Sequence, residues 1–249
     1  MWRLGGAAAL AHLALLALWV WATTAGDVPR YIVPGPLETC ATLASPHYGW
    51  LSNIAVTAGQ AAAGFALAVL VGTALAVLFT WFAPVRRALM PLLVTLNLVP
   101  KVALAPLFIV WFGYGLLPNI LITFVIAFFP IVITVARGLA EVEPELLDLV
   151  RVQRATRWQV FRKIQLPSAL PYLFSGMRVA AVLAIAGTIV GEFIGSEAGL
   201  GFLMLSAQAT LDTPAMFMAL ILITLVGIGL YVSVVVLEAL TVTVDARLR

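Results

Sequence analysis

Two charges lie inside apolar runs, where ionisable groups are costly. Lys101 sits within LNLVPKVALAPLFIVWF, and Glu192 within VAAVLAIAGTIVGEFIG. In a hydrocarbon setting such a group faces a partner or a water-filled cavity. Lys101 follows Arg87 by fourteen positions, and Glu192 follows Arg178 by fourteen. If both runs are helices rising from one membrane face, each charge lies roughly 21 Å along its helix, at ~1.5 Å per residue, with a kink at Pro100 and helix tilt shifting this by several ångströms. Equal depth predicts that the two pair, or share a wet cavity, within one chain or between copies. The competing expectation is that Lys101 snorkels outward while Glu192 joins the outer loop GEFIGSEAGLG. Asn97, in the same run as Lys101, is a further intramembrane polar candidate.

Other reactive groups are sparse. Of the two histidines, His12 lies in an apolar run and His47 in the segment after it, with no partner announced for general acid–base work. One cysteine rules out a disulfide framework within the chain and gives no metal pattern. No Walker or HExxH signature occurs, and no catalytic constellation is expected. Two classes stand open: a transport subunit without catalysis of its own, or an ion-coupled secondary transporter in which Lys101 and Glu192 carry the coupling.

The densest basic cluster lies in EVEPELLDLVRVQRATRWQVFRKIQLPSALPYLFSG, residues 141–176. Pro144 suits the first position of a helix, where its missing N–H costs nothing, and the glutamates around it favour a helix N-terminus. Thr156 and Gln159 form a capping-box pattern that opens a second short helix. That helix carries Trp158 and Phe161, with Arg157, Arg162 and Lys163 around them. Leu166-Pro167 is expected to close it, because a residue before proline is pushed out of the helical region. An aromatic pair among basic residues suits a groove on another protein, or else rests on the chain's own helices.

These residues need a membrane to be positioned. The chain has 249 residues, 63% hydrophobic and 10% charged, which excludes a soluble domain. The net charge of +3 does not call for nucleic acid. The pattern predicts an all-α polytopic protein, one transmembrane domain over 1–249. About six spans fall near 4–26, 53–82, 89–111, 118–136, 177–194 and 215–241. The first is long for a signal peptide, and Trp19 and Trp21 suit a membrane interface. Residues 196–214 read as a re-entrant or loop segment. Gly187, Gly191 and Gly195 recur every four residues, a spacing that permits close helix approach within the chain or across a dimer.

Six spans put both termini on one side. That side receives twelve of the fourteen lysines and arginines, leaving Arg30 opposite and Lys101 in the membrane. The positive-inside rule then places the termini and the basic segment in the cytoplasm.

The basic segment resembles the cytoplasmic coupling loop, or EAA loop, of binding-protein-dependent ABC importer permeases. The pattern of an acidic residue, two alanines, a glycine, then an apolar residue, Leu and Pro stands here as Asp148-Leu149-Val150, Arg154 and Ile164-Gln165-Leu166-Pro167. VPGPLET, LNLVPKVALAPLFIVWFGYG and GEFIGSEAGLG are similar to segments of the nitrate/sulfonate/taurine branch, which includes thiamine-precursor pyrimidine and riboflavin importers. The likeness runs from Pro34 to the C-terminus.

The resemblance implies an inner-membrane permease with a coupling loop over 137–176. Asp148, Arg154, Arg157, Trp158, Phe161, Leu166 and Pro167 would face a cytoplasmic ATPase. It implies two ATPase subunits that bind the ATP and Mg, an extracytoplasmic solute-binding protein and a second copy of this chain, with no cofactor on the chain itself. The ATRW stretch points to a pyrimidine-type cargo first and a sulfonate, taurine or nitrate-like anion second. Two departures stand out: Leu149-Val150 replaces the alanine pair, and Arg154 replaces the glycine. Arginine adopts positive φ only uncommonly, so a differently built turn is expected.

Overall fold

A computed structural model of the chain describes residues 2–26, 28–142, 146, 150 and 152–242, with only the backbone of residues 2–9. Every regular element among them is helical. In chain order these are α1 (Trp2–Thr24), α2 (Pro36–Ala41), α3 (Trp50–Trp81), α4 (Ala83–Asn97) and α5 (Ala105–Phe112). There follow α6 (Leu116–Ala140), α7 (Arg157–Val160), α8 (Leu166–Gly195), α9 (Leu200–Ala209) and α10 (Thr213–Thr241). Four stretches are long and apolar enough to cross a bilayer: Pro46–Trp81, Leu116–Ala140, Arg157–Gly195 and Thr213–Thr241. α4 with the segment Lys101–Phe112 makes a fifth if the two are one span. Shorter apolar helices run over Leu10–Thr24 and Leu200–Ala209.

The chain forms two compact units, one of residues 1–56 and 198–224, the other of residues 57–197 and 225–249. In the first, side chains pin an irregular proline-rich segment. The indole of Trp19 donates to the Pro34 carbonyl at 3.0 Å and that of Trp50 to Thr42 at 2.9 Å. The Tyr48 hydroxyl donates to Asp212, whose other carboxylate oxygen accepts the Ala215 N–H and so caps α10. Asn53 accepts the Gly199 N–H at 2.7 Å and donates to the Tyr48 carbonyl at 2.9 Å.

In the second unit, close approach of α3, α6 and α8 is made possible by glycine. A Cβ on Gly64 would stand 2.5 Å from Thr123, and one on Gly187 would stand 3.0 Å from the Thr123 Cα. At Gly191 a Cβ would come within 2.9 Å of the Asn119 Oδ1, and at Gly195 within 2.5 Å of Ile109. The repeating glycines of α8 are therefore occupied by this chain's own α5 and α6. Ile131, Val132, Leu139, Ala180 and Ala184 fill the core between them.

Three expectations are corrected. The third span is not a straight helix over 89–111, because α4 and the following arm are bent by 90° at Leu98–Pro100. Pro100 cannot donate the next backbone bond, and the chain leaves the helix there. The depth argument for Lys101 allowed for a proline kink but not for a turn of 90°, and falls with it.

Leu166-Pro167 does not close a helix either. Leu166 keeps helical φ and ψ of −65° and −48°, and one rod runs from Arg157 to Gly195, 39 residues. The turn at Phe161–Gln165 is a π-helix in which the Leu166 N–H reaches back to Phe161. A proline ring normally clashes with the carbonyl four residues earlier, and the widened turn makes room for it. The helix that contains the fifth span thus begins far before Met177. Lastly, residues 200–209 are the helix α9, entered through Gly199 at φ 114°; its glycines mark the helix start.

Candidate coupling surface and intramembrane polar residues

The basic segment ends its first helical stretch in a defined way. Arg154 has φ 55°, the left-handed region, and the Ala155 N–H bonds the Val150 carbonyl at 3.0 Å. A six-to-one bond around a left-handed residue is the Schellman arrangement that glycine usually completes. The turn is therefore built as a glycine would build it, with an arginine in the strained position. Its side chain is exposed and has no ion pair among the described residues. Leu211, at φ 56°, ends α9 in the same way, with the Asp212 N–H on Ala207 and the Leu211 N–H on Gln208.

The capping box at Thr156 forms as the sequence predicts: its N–H donates to the Gln159 Oε1 at 2.8 Å, and the Gln159 N–H donates to its hydroxyl at 3.3 Å. It places Arg157 and Trp158 on the first turn of the long rod. The two aromatics then part company. Phe161 is 8% exposed and packs edge-on to Trp81 at 5.6 Å, within the core of the unit. Trp158 is 57% exposed, with Phe161 at 5.8 Å and Trp81 at 6.2 Å supporting its ring. Phe161 is thus a residue of the chain's own interior and no surface anchor. Arg157, Leu166 and Pro167 are exposed; Asp148 lies outside the described residues. At the other end of the segment, Arg137 and then Tyr172 bond Glu141 and hold its carboxyl below the ordinary glutamate range.

The intramembrane charges take separate partners. The Lys101 ammonium donates to the Asn97 carbonyl and to the Asn97 Oδ1, both at 2.8 Å, and lies 4.9 Å over the Phe129 ring. Glu192 is 1% exposed and accepts the Thr57 hydroxyl at 2.7 Å. No ion pair joins Lys101 to Glu192 among the described residues. Glu238 pairs with Arg178 at 3.5 Å.

Around Glu192 lies a polar layer that sequence reading missed. Gln60 and Asn119 are 2% and 0% exposed, and none of their amide atoms has a hydrogen-bond partner. Thr123 and Thr188 bond each other at 2.9 Å one turn away. The contacts of Gly64 with Thr123, and of Gly191 with Asn119, bring Asn119 and Glu192 to one level and set Gln60 a turn from Gly64. The signal was present in the sequence: Thr57 and Gln60, and Asn119 and Thr123, are polar pairs at helical spacing inside apolar runs.

Comparison with known proteins accounts for this architecture. Residues 64–249 match the family of binding-protein-dependent transport system inner membrane components. The chain is 35% identical over 235 residues to the riboflavin transport system permease protein RibX of Chloroflexus aurantiacus, covering 93% of this chain and 87% of the relative. It is 30% identical over 226 residues to the formylaminopyrimidine transport permease protein ThiX of Halalkalibacterium halodurans, covering 90% of each. The fold is similar to that of a chain in the inward-facing MetNI methionine ABC transporter, with TM-score 0.62, 22% identity, and coverage of 76% of this chain and 97% of that one. Permeases of this family work with an ABC ATPase and a binding protein. A helical membrane chain whose match to the family runs unbroken through the basic segment to its last residue leaves the secondary-transporter alternative without support: this protein belongs to the inner-membrane permeases of binding-protein-dependent ABC importers, and it is their multi-pass, non-catalytic subunit.

Proposed function

We propose that the chain conducts a thiamine-precursor pyrimidine or a related heterocycle into the cytoplasm, with sulfonate-, taurine- or nitrate-like anions as the next class. The reading is supported by the ATRW stretch and by the names of the relatives RibX and ThiX. Two copies would work with two cytoplasmic ATPases, which bind ATP and Mg, and an extracytoplasmic binding protein. Both termini lie in the cytoplasm on this reading, as the twelve basic residues of that side require.

The observation that carries the coupling is the position of Trp158. An exposed indole beside Arg157, Arg162 and Lys163 stands at the tip of a rod that continues into the bundle. Closure of the ATPase pair would push on that tip, and the rod would carry the displacement into the membrane. Asn97 and Lys101, half-buried at the bend, border the solute path; Glu192 is buried behind it.

The test is reconstitution of permease, ATPase and binding protein in vesicles. Uptake of the pyrimidine should require ATP and the binding protein, and an imposed ion gradient should not replace either. A binding protein that ignores heterocycles and captures sulfonates would move the cargo to the second class. ATP-independent uptake would sink the mechanism.

A further inference from the structure

The bend between α4 and α5 holds an arrangement that bordering a solute path does not by itself require. Helices end with carbonyls that lack donors, and inside a bilayer no water is at hand to satisfy them. At the end of α4 these carbonyls are satisfied in sequence. The Leu98 N–H donates to Thr95 at 3.1 Å, and the Val99 N–H donates to Leu96 at 3.2 Å. The next donor in that ladder would be residue 100, reaching Asn97. Residue 100 is proline and has no N–H.

The missing bond is made by a side chain. The Lys101 ammonium donates to the Asn97 carbonyl at 2.8 Å, the length of a charge-assisted bond, and to the Asn97 Oδ1 at 2.8 Å as well. A positive charge at a helix C-terminus is also favoured by the helix dipole. The same ammonium lies 4.9 Å over Phe129 of α6, which is itself buried. One residue therefore closes the end of α4 and ties that end to α6.

We propose that Lys101 is a positioning residue that holds the broken span in its bend, supplying the hydrogen that Pro100 cannot. The charge that looked like half of a buried ion pair is a cap in the place of a backbone donor. This goes beyond the transport reading and stands whichever solute is carried.

The experiment uses the permease purified with its ATPase, with Cys40→Ser removing the single native cysteine. Spin labels at Ala88→Cys on α4 and Val110→Cys on α5 report the distance across the bend, both positions being exposed. Lys101→Met should broaden the distribution and shift it outward by up to roughly 8 Å, since each arm is about nine residues at ~1.5 Å per residue. Lys101→Gln, a neutral donor, should keep most of the native distance. Pro100→Ala restores a backbone N–H, so adding it to Lys101→Met should bring the distance back. A native distance in Lys101→Met overturns the proposal. So does a Pro100→Ala double variant that stays as broad as Lys101→Met. Should Lys101→Met fail to assemble, Pro100→Ala must restore the yield of complex, and failure to do so counts as the same refutation.

Discussion

The mesh of α3, α6 and α8 and the broken pair α4–α5 come from the same composition and behave oppositely. In the mesh, glycines bring backbones so close that an added methyl group would meet Thr123 at 2.5 Å or Asn119 at 2.9 Å. Interiors packed in this way are bistable or fixed, with little room for gradual sliding. α4 has no fully buried residue, and its axis turns by 90° at a proline. Its shape rests on hydrogen bonds more than on packing. The difference separates two ways of fixing a helix: close backbone packing in the mesh, and a few hydrogen bonds at the bend.

Substitutions can test that division, and the largest effect should fall in the mesh. Gly64→Val forces a branched side chain against Thr123 and the Ile120 carbonyl, and should cost about 3 kcal/mol or prevent assembly. Leu92→Ala, on the exposed side of α4, should change thermal stability in detergent by less than ~0.5 kcal/mol. Equal losses at the two sites would erase the contrast.

Next come the two aromatics. Phe161→Ala should destabilise the permease by about 3 kcal/mol, as truncation of a buried phenylalanine does. Trp158→Ala should leave the permease intact and weaken ATPase association by ~2 kcal/mol, visible as lost co-purification. If Trp158→Ala melts the permease and Phe161→Ala does not, their roles are reversed.

Within the mesh the amides predict a gain. Asn119→Leu removes two buried polar atoms without partners and should raise stability by about 1 kcal/mol. A fall would mean that the amide holds a group in the membrane after all. The smaller of the two gains belongs to Arg154→Gly. Relief of a left-handed arginine is worth ~1 kcal/mol, reduced by the entropy of an added glycine, for a net gain of about 0.5 kcal/mol. Chemical denaturation at two salt concentrations would check it, and a salt-sensitive loss of ATPase would instead assign the guanidinium a contact.

Much of this was legible in the chain. The apolar runs of α3, α6 and α10 announced themselves, as did the cap at Thr156, because hydropathy and capping are local. Direction is not local. A window of residues over 89–111 is apolar whether the path is straight or bent at Pro100. Proline rules likewise stopped the helix at Leu166, because they assume an α-turn before the ring and the chain uses a π-turn there. Arg154 defeated a residue preference in the same way: tertiary context kept the left-handed turn and paid for the side chain. Gln60 and Asn119 stand at inward-facing helical spacing, but a neutral amide costs far less to bury than a charge and so marks its position more weakly.

The 39-residue rod has one more consequence, which is mechanical. Because Gly176, Gly187, Gly191 and Gly195 lock α8 to its neighbours, any push at Trp158, as the proposed coupling would deliver, would not be lost as slippage between α8 and the helices it meets. They must tilt together, as a shaft keyed to its gear. From Arg157 to Gly176 the arm is about 28 Å at ~1.5 Å per residue, so each degree of tilt sweeps the tip by roughly half an ångström. Such a transmission has no backlash, so a tilt begun at the tip would reach the glycine contacts undiminished.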